Sequence, residues 1–148
     1  ADNEAGRTPA LALAKAGLVG ILEKVCENPN ANLSRQDSKR GKTPAYFLAK
    51  GGHTETLRIF ARQAADLATP DKKKGKSPAY KAAQNGHLEC LQILAEHKAG
   101  LSEADNQNQT PAYVAAERGN VKCLEVLASN GCDLSVANNK GKTPCYIA

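Results

Sequence analysis

Methionine and tryptophan are absent from this 148-residue chain, and four tyrosines and two phenylalanines are its only six-membered aromatic rings. No apolar run approaches the ~18 residues that cross a bilayer. The opening residues ADNEAGRTPA contain no apolar core of a secretory signal. The lack of an initiating methionine leads to the expectation that the chain is an internal piece of a longer one. No GxSxG, HExxH or Walker-type loop occurs, so the common hydrolase and nucleotide-binding classes find no support. The cysteines, Cys26, Cys90, Cys123, Cys132 and Cys145, are odd in number and form no CxxC pair, which speaks against a disulfide framework or a zinc ribbon. Four of them replace small apolar residues of a repeating pattern. Buried thiols in a reducing compartment, cytoplasmic or nuclear, are therefore expected.

What is present is ordinary for a globular protein: 41% hydrophobic and 24% charged residues, with a net charge of +5. A chain of this length buries about two-thirds of its unfolded surface on folding. The informative feature is repetition. NEAGRTPAL, SKRGKTPAY, DKKKGKSPAY, DNQNQTPAY and NNKGKTPCY share one skeleton, and their hydroxyl residues Thr8, Thr43, Ser77, Thr110 and Thr143 are spaced by 35, 34, 33 and 33 residues. A fixed period of this size marks a repeat array.

One unit, SPAYKAAQNGHLECLQILAEHKAGLSEAD (Ser77 to Asp105), shows the local logic. Ser77 followed by Pro78 predicts a helix start, because the hydroxyl can accept from an orphan amide and proline tolerates the first helical position. Ala79, Ala82 and Ala83 give a close-packing face, and Gly86 ends the helix. A second helix from about His87 carries Leu88, Cys90, Leu91, Ile93 and Leu94, dense enough to be buried on two sides, with Glu89, Gln92 and Glu96 outward. The same reasoning makes the Ser-Pro and Thr-Pro pairs caps rather than phosphorylation sites, Ser77 included.

The period near 33, the Thr-Pro helix openings, the Gly-His or Gly-Asn before each second helix and GCDLS (Gly131 to Ser135) after one of them resemble the ankyrin repeat. The resemblance implies an all-α repeat solenoid with β-hairpin loops, a stack of antiparallel helix pairs. Its repeats span about 2–36, 37–70, 71–104 and 105–137, with a partial fifth over 138–148. The tetratricopeptide repeat has a similar period but depends on aromatic positions left empty here. Where the ankyrin pattern has TPLH, this chain has TPAL, TPAY, SPAY, TPAY and TPCY. A smaller residue beside a larger one conserves packed volume. The tyrosines are expected inside, their hydroxyls replacing the histidine's hydrogen bonds. Asn108 stands where other loops carry Gly6, Gly41, Gly75 and Gly141, and asparagine is the next best residue for a left-handed backbone. His53 and His87 fall where the family pattern has histidine, and His97 lies near a helix C-terminus. No Asp or Cys recurs with them at ligand spacing, and GHLEC (Gly86 to Cys90) reads as packing through a buried Cys90, so no metal, cofactor or catalytic residue is assigned and no enzyme is expected.

Stacking aligns the loop tips into a row. The second tip carries Lys39, Arg40 and Lys42 against Asp37, and the third Lys72, Lys73, Lys74 and Lys76 against Asp71. The fifth has Lys140 and Lys142, the fourth only Asp105, and the first Arg7 against Asp2 and Glu4. Lys15, Lys50, Lys81 and Arg118 extend the basic side over the first helices, while Glu23, Glu55, Glu89, Glu96 and Glu125 mark the second. Such a field speeds association with an anionic partner.

By resemblance, ankyrin arrays recognise other proteins through tips and first-helix ends. That surface is here Lys39, Arg40, Lys42 and Lys50, then Lys73, Lys74, Lys76, Gln84 and Asn85. It continues through Asn106, Gln107, Gln109, Glu117 and Arg118 to Asn139, Lys140 and Lys142. The expected ligand is an acidic or phosphorylated protein segment. A nucleic-acid or anionic-membrane reading is disfavoured, because the basic edge has no aromatic platform for stacking. A third reading is a domain docked permanently in a larger assembly. The apolar ALALAKAGLVGIL (Ala10 to Leu22) and the stop at TPCYIA look uncapped, and further repeats or another subunit are expected to cover the ends.

Overall fold

The computed structural model describes residues 8–28 and 30–147. Its helices pair along the chain: α1 (Pro9–Ala16) with α2 (Val19–Cys26), α3 (Pro44–Gly51) with α4 (Thr54–Arg62), α5 (Pro78–Asn85) with α6 (Leu88–Glu96), and α7 (Pro111–Glu117) with α8 (Val121–Ser129). A short α9 (Pro144–Ile147) follows. Each first helix begins on a hydroxyl-proline pair for the reason already visible in the sequence. Thr8, Thr43, Ser77 and Thr110 are extended, and their side chains accept from the amides of Leu11, Tyr46, Tyr80 and Tyr113 at 3.1–3.2 Å. All four caps are buried, and Ser77 is completely inaccessible. A kinase finds no hydroxyl to modify there. At the other end of α5, Gly86 takes φ 72°, a left-handed conformation that costs glycine little, and its amide closes on Ala82 and Ala83.

First helices pack side by side in one layer (α1, α3, α5, α7, α9) and second helices in another (α2, α4, α6, α8). The core lies between them. Ala45, Ala49, Ala79, Ala82, Ala83, Ala112 and Ala115 are fully buried and let the first helices approach closely, while Leu57, Phe60, Leu91, Leu94 and Leu127 fill the layer beneath. Each large side chain so buried stabilises the stack by roughly 1.5–3 kcal/mol relative to exposure. Cys26, Cys90, Cys123 and Cys132 join this core as free thiols, and burial pushes the Cys26 thiol up to about 11. Cys145 is exposed.

Neighbouring pairs are also stapled by polar side chains just ahead of α6 and α8. The His87 ring nitrogen Nε2 meets the Lys50 carbonyl at 3.1 Å, and Asn120 Nδ2 donates to the Ala83 and Gln84 carbonyls at 2.8 and 3.2 Å. These carbonyls terminate the preceding first helix, where intrahelical partners run out. His87 is thus used structurally.

One expectation finds no support and another needs correction. No strand occurs among the described residues, so the β-hairpin form of the loops is not seen: each described tip is a single tight turn closed by two backbone bonds. The tyrosines are not all inside. Tyr46, Tyr80 and Tyr113 are buried, but Tyr146 is 74% exposed, since α9 has no first helix on its outer side within the described residues. The first tip, with Asp2, Glu4, Gly6 and Arg7, lies outside the described residues.

Candidate partner-binding surface

Each described tip is organised by one inward-turned side chain. In the third, Asp71 is 3% exposed and its Oδ1 accepts from the amides of Lys73 (3.0 Å) and Lys74 (2.7 Å). In the second, Asp37 Oδ1 accepts from the Arg40 amide at 2.5 Å. In the fourth, Asp105 Oδ1 takes the amides of Gln107 and Gln109, and in the fifth Asn138 Oδ1 takes those of Lys140 and Lys142. Short carboxylates and amides close such turns because their oxygens reach backbone two to four residues on. The carboxylates of Asp71 and Asp105 are therefore buried, while Lys39, Lys72, Lys73, Lys74 and Lys140 are exposed.

Backbone bonds then tie tip to tip. The Lys72 amide donates to the Arg40 carbonyl (2.8 Å), Asn106 to Lys74 (2.9 Å) and Asn139 to Gln107 (3.0 Å). Asn106 Nδ2 adds a bond to the Lys73 carbonyl at 3.1 Å. At two tip glycines this close approach adds to the demand of a left-handed backbone. A Cβ on Gly75 would strike Asn106, and one on Gly41 would strike the Lys72 stem. Loops about thirty residues apart in sequence are locked into one rim.

Behind the rim, on the first-helix face, the lysines preceding the Thr43 and Ser77 caps lean inward. Lys42 Nζ lies 4.5 Å from the Tyr46 ring centroid and 5.5 Å from that of Phe47; Lys76 Nζ lies 4.5 Å from the Tyr80 ring. Rings hold cations there by their quadrupole. Lys76 also reaches Asp105 Oδ2 at 3.8 Å, so it pairs with the following repeat rather than with Asp71. That oxygen is buried without a hydrogen bond, and the ion pair answers its charge. The Tyr80 hydroxyl donates to Gln109 Oε1 at 3.2 Å. Burial first, then the Asp105 carboxylate, pushes the phenol of Tyr80 up; Tyr46 is pushed up to about 12, mainly by burial. Burial also lowers Lys42. Lys81, half-buried on α5, is lowered to about 8 by burial and by the charges of Lys76, Lys50, Lys42 and Arg118.

A model of three ankyrin repeats matches residues 10–105, and a single-repeat model matches 107–139. The chain belongs to the ankyrin repeat family. No curated protein matches it significantly over any stretch. Ankyrin repeats generally mediate protein–protein interaction, and their arrays are typically non-enzymatic modules. No helix among the described residues is long and apolar enough to cross a membrane, and no group of three or more His, Cys, Asp or Glu side chains there is placed to hold a metal ion.

Within this ankyrin array the sequence-derived surface divides in two. Lys39, Arg40, Lys50, Lys73, Lys74, Glu117, Arg118, Lys140 and Lys142 are exposed. The amide side chains are largely occupied: Asn85 Nδ2 donates to the Lys50 carbonyl at 2.7 Å, Asn139 Nδ2 approaches the Asn106 carbonyl at 3.4 Å, Gln84 accepts from Lys81, and Gln109 is taken by Tyr80. Gln107 is exposed, with its backbone in the rim. Lys42 and Lys76 are withdrawn over tyrosine rings. Two further cations lie beside these residues, Lys72 on the rim and Lys81 on the first-helix face. In the sequence Lys81 is grouped with Lys50 and Arg118 along the first helices; the fold adds its half-buried placement among Lys76, Lys50, Lys42 and Arg118.

Proposed function

We propose that this ankyrin array is a non-catalytic scaffold that binds an acidic protein segment along its tip rim and first-helix face. The observation supporting this reading is the one-sided fate of tip charges. Asp71 and Asp105 turn inward onto backbone amides, leaving Lys72, Lys73 and Lys74 projecting without carboxylates beside them on the surface. Uncompensated like charges on a rigid edge raise the rate of encounter with an anionic partner and set its orientation. The free thiols, four of them buried, support a reducing compartment, cytoplasmic or nuclear.

The test is association of the intact chain with a fluorescent peptide of alternating Glu and Asp, followed by stopped flow at low salt. Reversal of Lys73 and Lys74 to Glu is expected to slow association about tenfold or more, with the gap closing as salt rises. Lys76 is left untouched because its loss would also orphan Asp105. An unchanged rate counts decisively against this surface. A second reading, permanent docking in a larger assembly, is favoured by Leu18 and Ile21, which are 49% and 55% exposed. Sedimentation of the chain checks it: self-association abolished by Ile21→Lys supports an apolar docking face, and a strict monomer weakens it.

A further inference from the structure

The first-helix layer holds positive charge that the rim does not explain. Lys50 near the end of α3, Lys81 in the middle of α5 and Arg118 just past α7 lie on three adjacent first helices, with Lys42 and Lys76 at the roots of two of them. Counted from their caps, Phe47 and Val114 occupy the position of Lys81 on the neighbouring helices, so a lone ammonium sits in a row otherwise apolar. The groups pressing on it are Lys76, Lys50, Lys42 and Arg118, all cations; its hydrogen-bond partner is the neutral Gln84. Among the carboxylates of these repeats, Asp71 is committed to the third tip's amides and Asp105 to Lys76 and the fourth tip, while Glu117 at the end of α7 is exposed next to Arg118.

Resting on the acidic-partner reading above, we infer that Lys50, Lys81 and Arg118 form a receptor for a phosphomonoester dianion carried by the partner protein segment. A single carboxylate offers one negative charge to a site shared by three helices. A phosphate offers nearly two, on three acceptor oxygens that can face several helices at once. Its approach also reverses the repulsion among the cations, so Lys81 binds a proton as the anion binds.

Proton uptake gives the site a distinctive pH profile. Phosphate gains its second charge near pH ~6. Free Lys81 loses its proton at about 8. Affinity therefore rises from about pH 5 to 7 and falls above about 8, up to the higher pKa that Lys81 has in the complex. A glutamate ligand, already ionised, shows only the falling limb.

The experiment is fluorescence anisotropy on the intact chain from about pH 5 to 10 with three peptides, EEDSEED, its phosphoserine form and its Ser→Glu form. Vesicles containing about 5% phosphatidylinositol bisphosphate form a fourth arm. The expected result is about tenfold tighter binding of the phosphopeptide than of the Ser→Glu peptide at pH ~7. Lys81→Arg should keep that affinity and lose the fall between about pH 8 and 9, whereas Lys81→Gln should lose about tenfold. Equal affinity for the phosphoserine and Ser→Glu peptides overturns the phosphate receptor and leaves the acidic-partner reading standing. Failure of all three peptides overturns both, and tighter capture by the vesicles than by the phosphopeptide overturns the protein-borne phosphate. An unaltered fall above pH ~8 in Lys81→Arg removes Lys81 from the site.

Discussion

The third and fourth tips do the same structural work with opposite surfaces. Each hangs on a buried aspartate whose Oδ1 collects two amides, and each hands one backbone bond to a neighbouring tip. Yet the third closes with the Gly75 amide on the Asp71 carbonyl four residues back, and the fourth with Asn108 on Asp105 three back. The extra residue gives the third tip a wider turn that displays three lysines, where the fourth displays Asn106, Gln107 and Asn108. The left-handed position is kept in both, by Gly75 at φ 70° and Asn108 at φ 58°. Architecture and charge are thus largely separable here: the aspartates, with Asn106 and Asn108 on neighbouring carbonyls, hold the loops, and Lys73, Lys74 and Gln107 are the outward residues left to face a ligand.

The sharpest way to break this comparison is to remove its common element. Asp71→Ala and Asp105→Ala should each cost about 2 kcal/mol, because two backbone amides lose their acceptor in either case. Asp105→Ala should cost the more, since it also strips Lys76 of its counter-charge. Urea denaturation measures both, and a negligible loss in one but not the other would end the equivalence. A smaller effect should follow from making the fourth tip resemble the third. Gln107→Lys places a cation on the exposed part of that turn and leaves Asn108 to hold the left-handed backbone. It should speed association with the acidic peptide about twofold at low salt while leaving stability within about 0.5 kcal/mol. A rate no faster than that of the unaltered chain would show that the fourth tip lies off the partner's path. The smallest change concerns the seam between the two tips. Tyr80→Phe removes the hydroxyl that Gln109 accepts and should destabilise by about 0.5–1 kcal/mol in thermal melts. No loss would refute the idea that these tyrosines replace histidine's hydrogen bonds.

Much of the fold is legible because its signals are local. A hydroxyl before proline, a glycine at a helix end and alanines at helical spacing each act within a few residues, and repetition multiplies every one of them. The β-hairpin form cannot be separated in sequence from a plain turn, because a Gly-tipped turn looks the same whether or not a ladder follows it. The site is only half legible for a different reason. Lys76 pairing with Asp105, Asn85 donating to the Lys50 carbonyl and Tyr80 donating to Gln109 all bridge repeats, and their partners stand about thirty residues away. Counting charges tip by tip assigns Lys76 to the surface and to Asp71; geometry assigns it to the seam. Tyr146 shows the limit of pattern alone, since a residue equivalent to Tyr80 in sequence is exposed when nothing packs over it.

The backbone bonds that join tip to tip fix a pitch as well as a shape. Packed helices stand about 8–10 Å apart, and an extended peptide advances roughly 3.3 Å per residue. A strand laid along the rim thus meets a new tip about every third residue. A partner with acidic side chains in that rhythm would engage several tips at once, and one with the same composition in a different order would lose contacts that no side-chain adjustment of the array could restore.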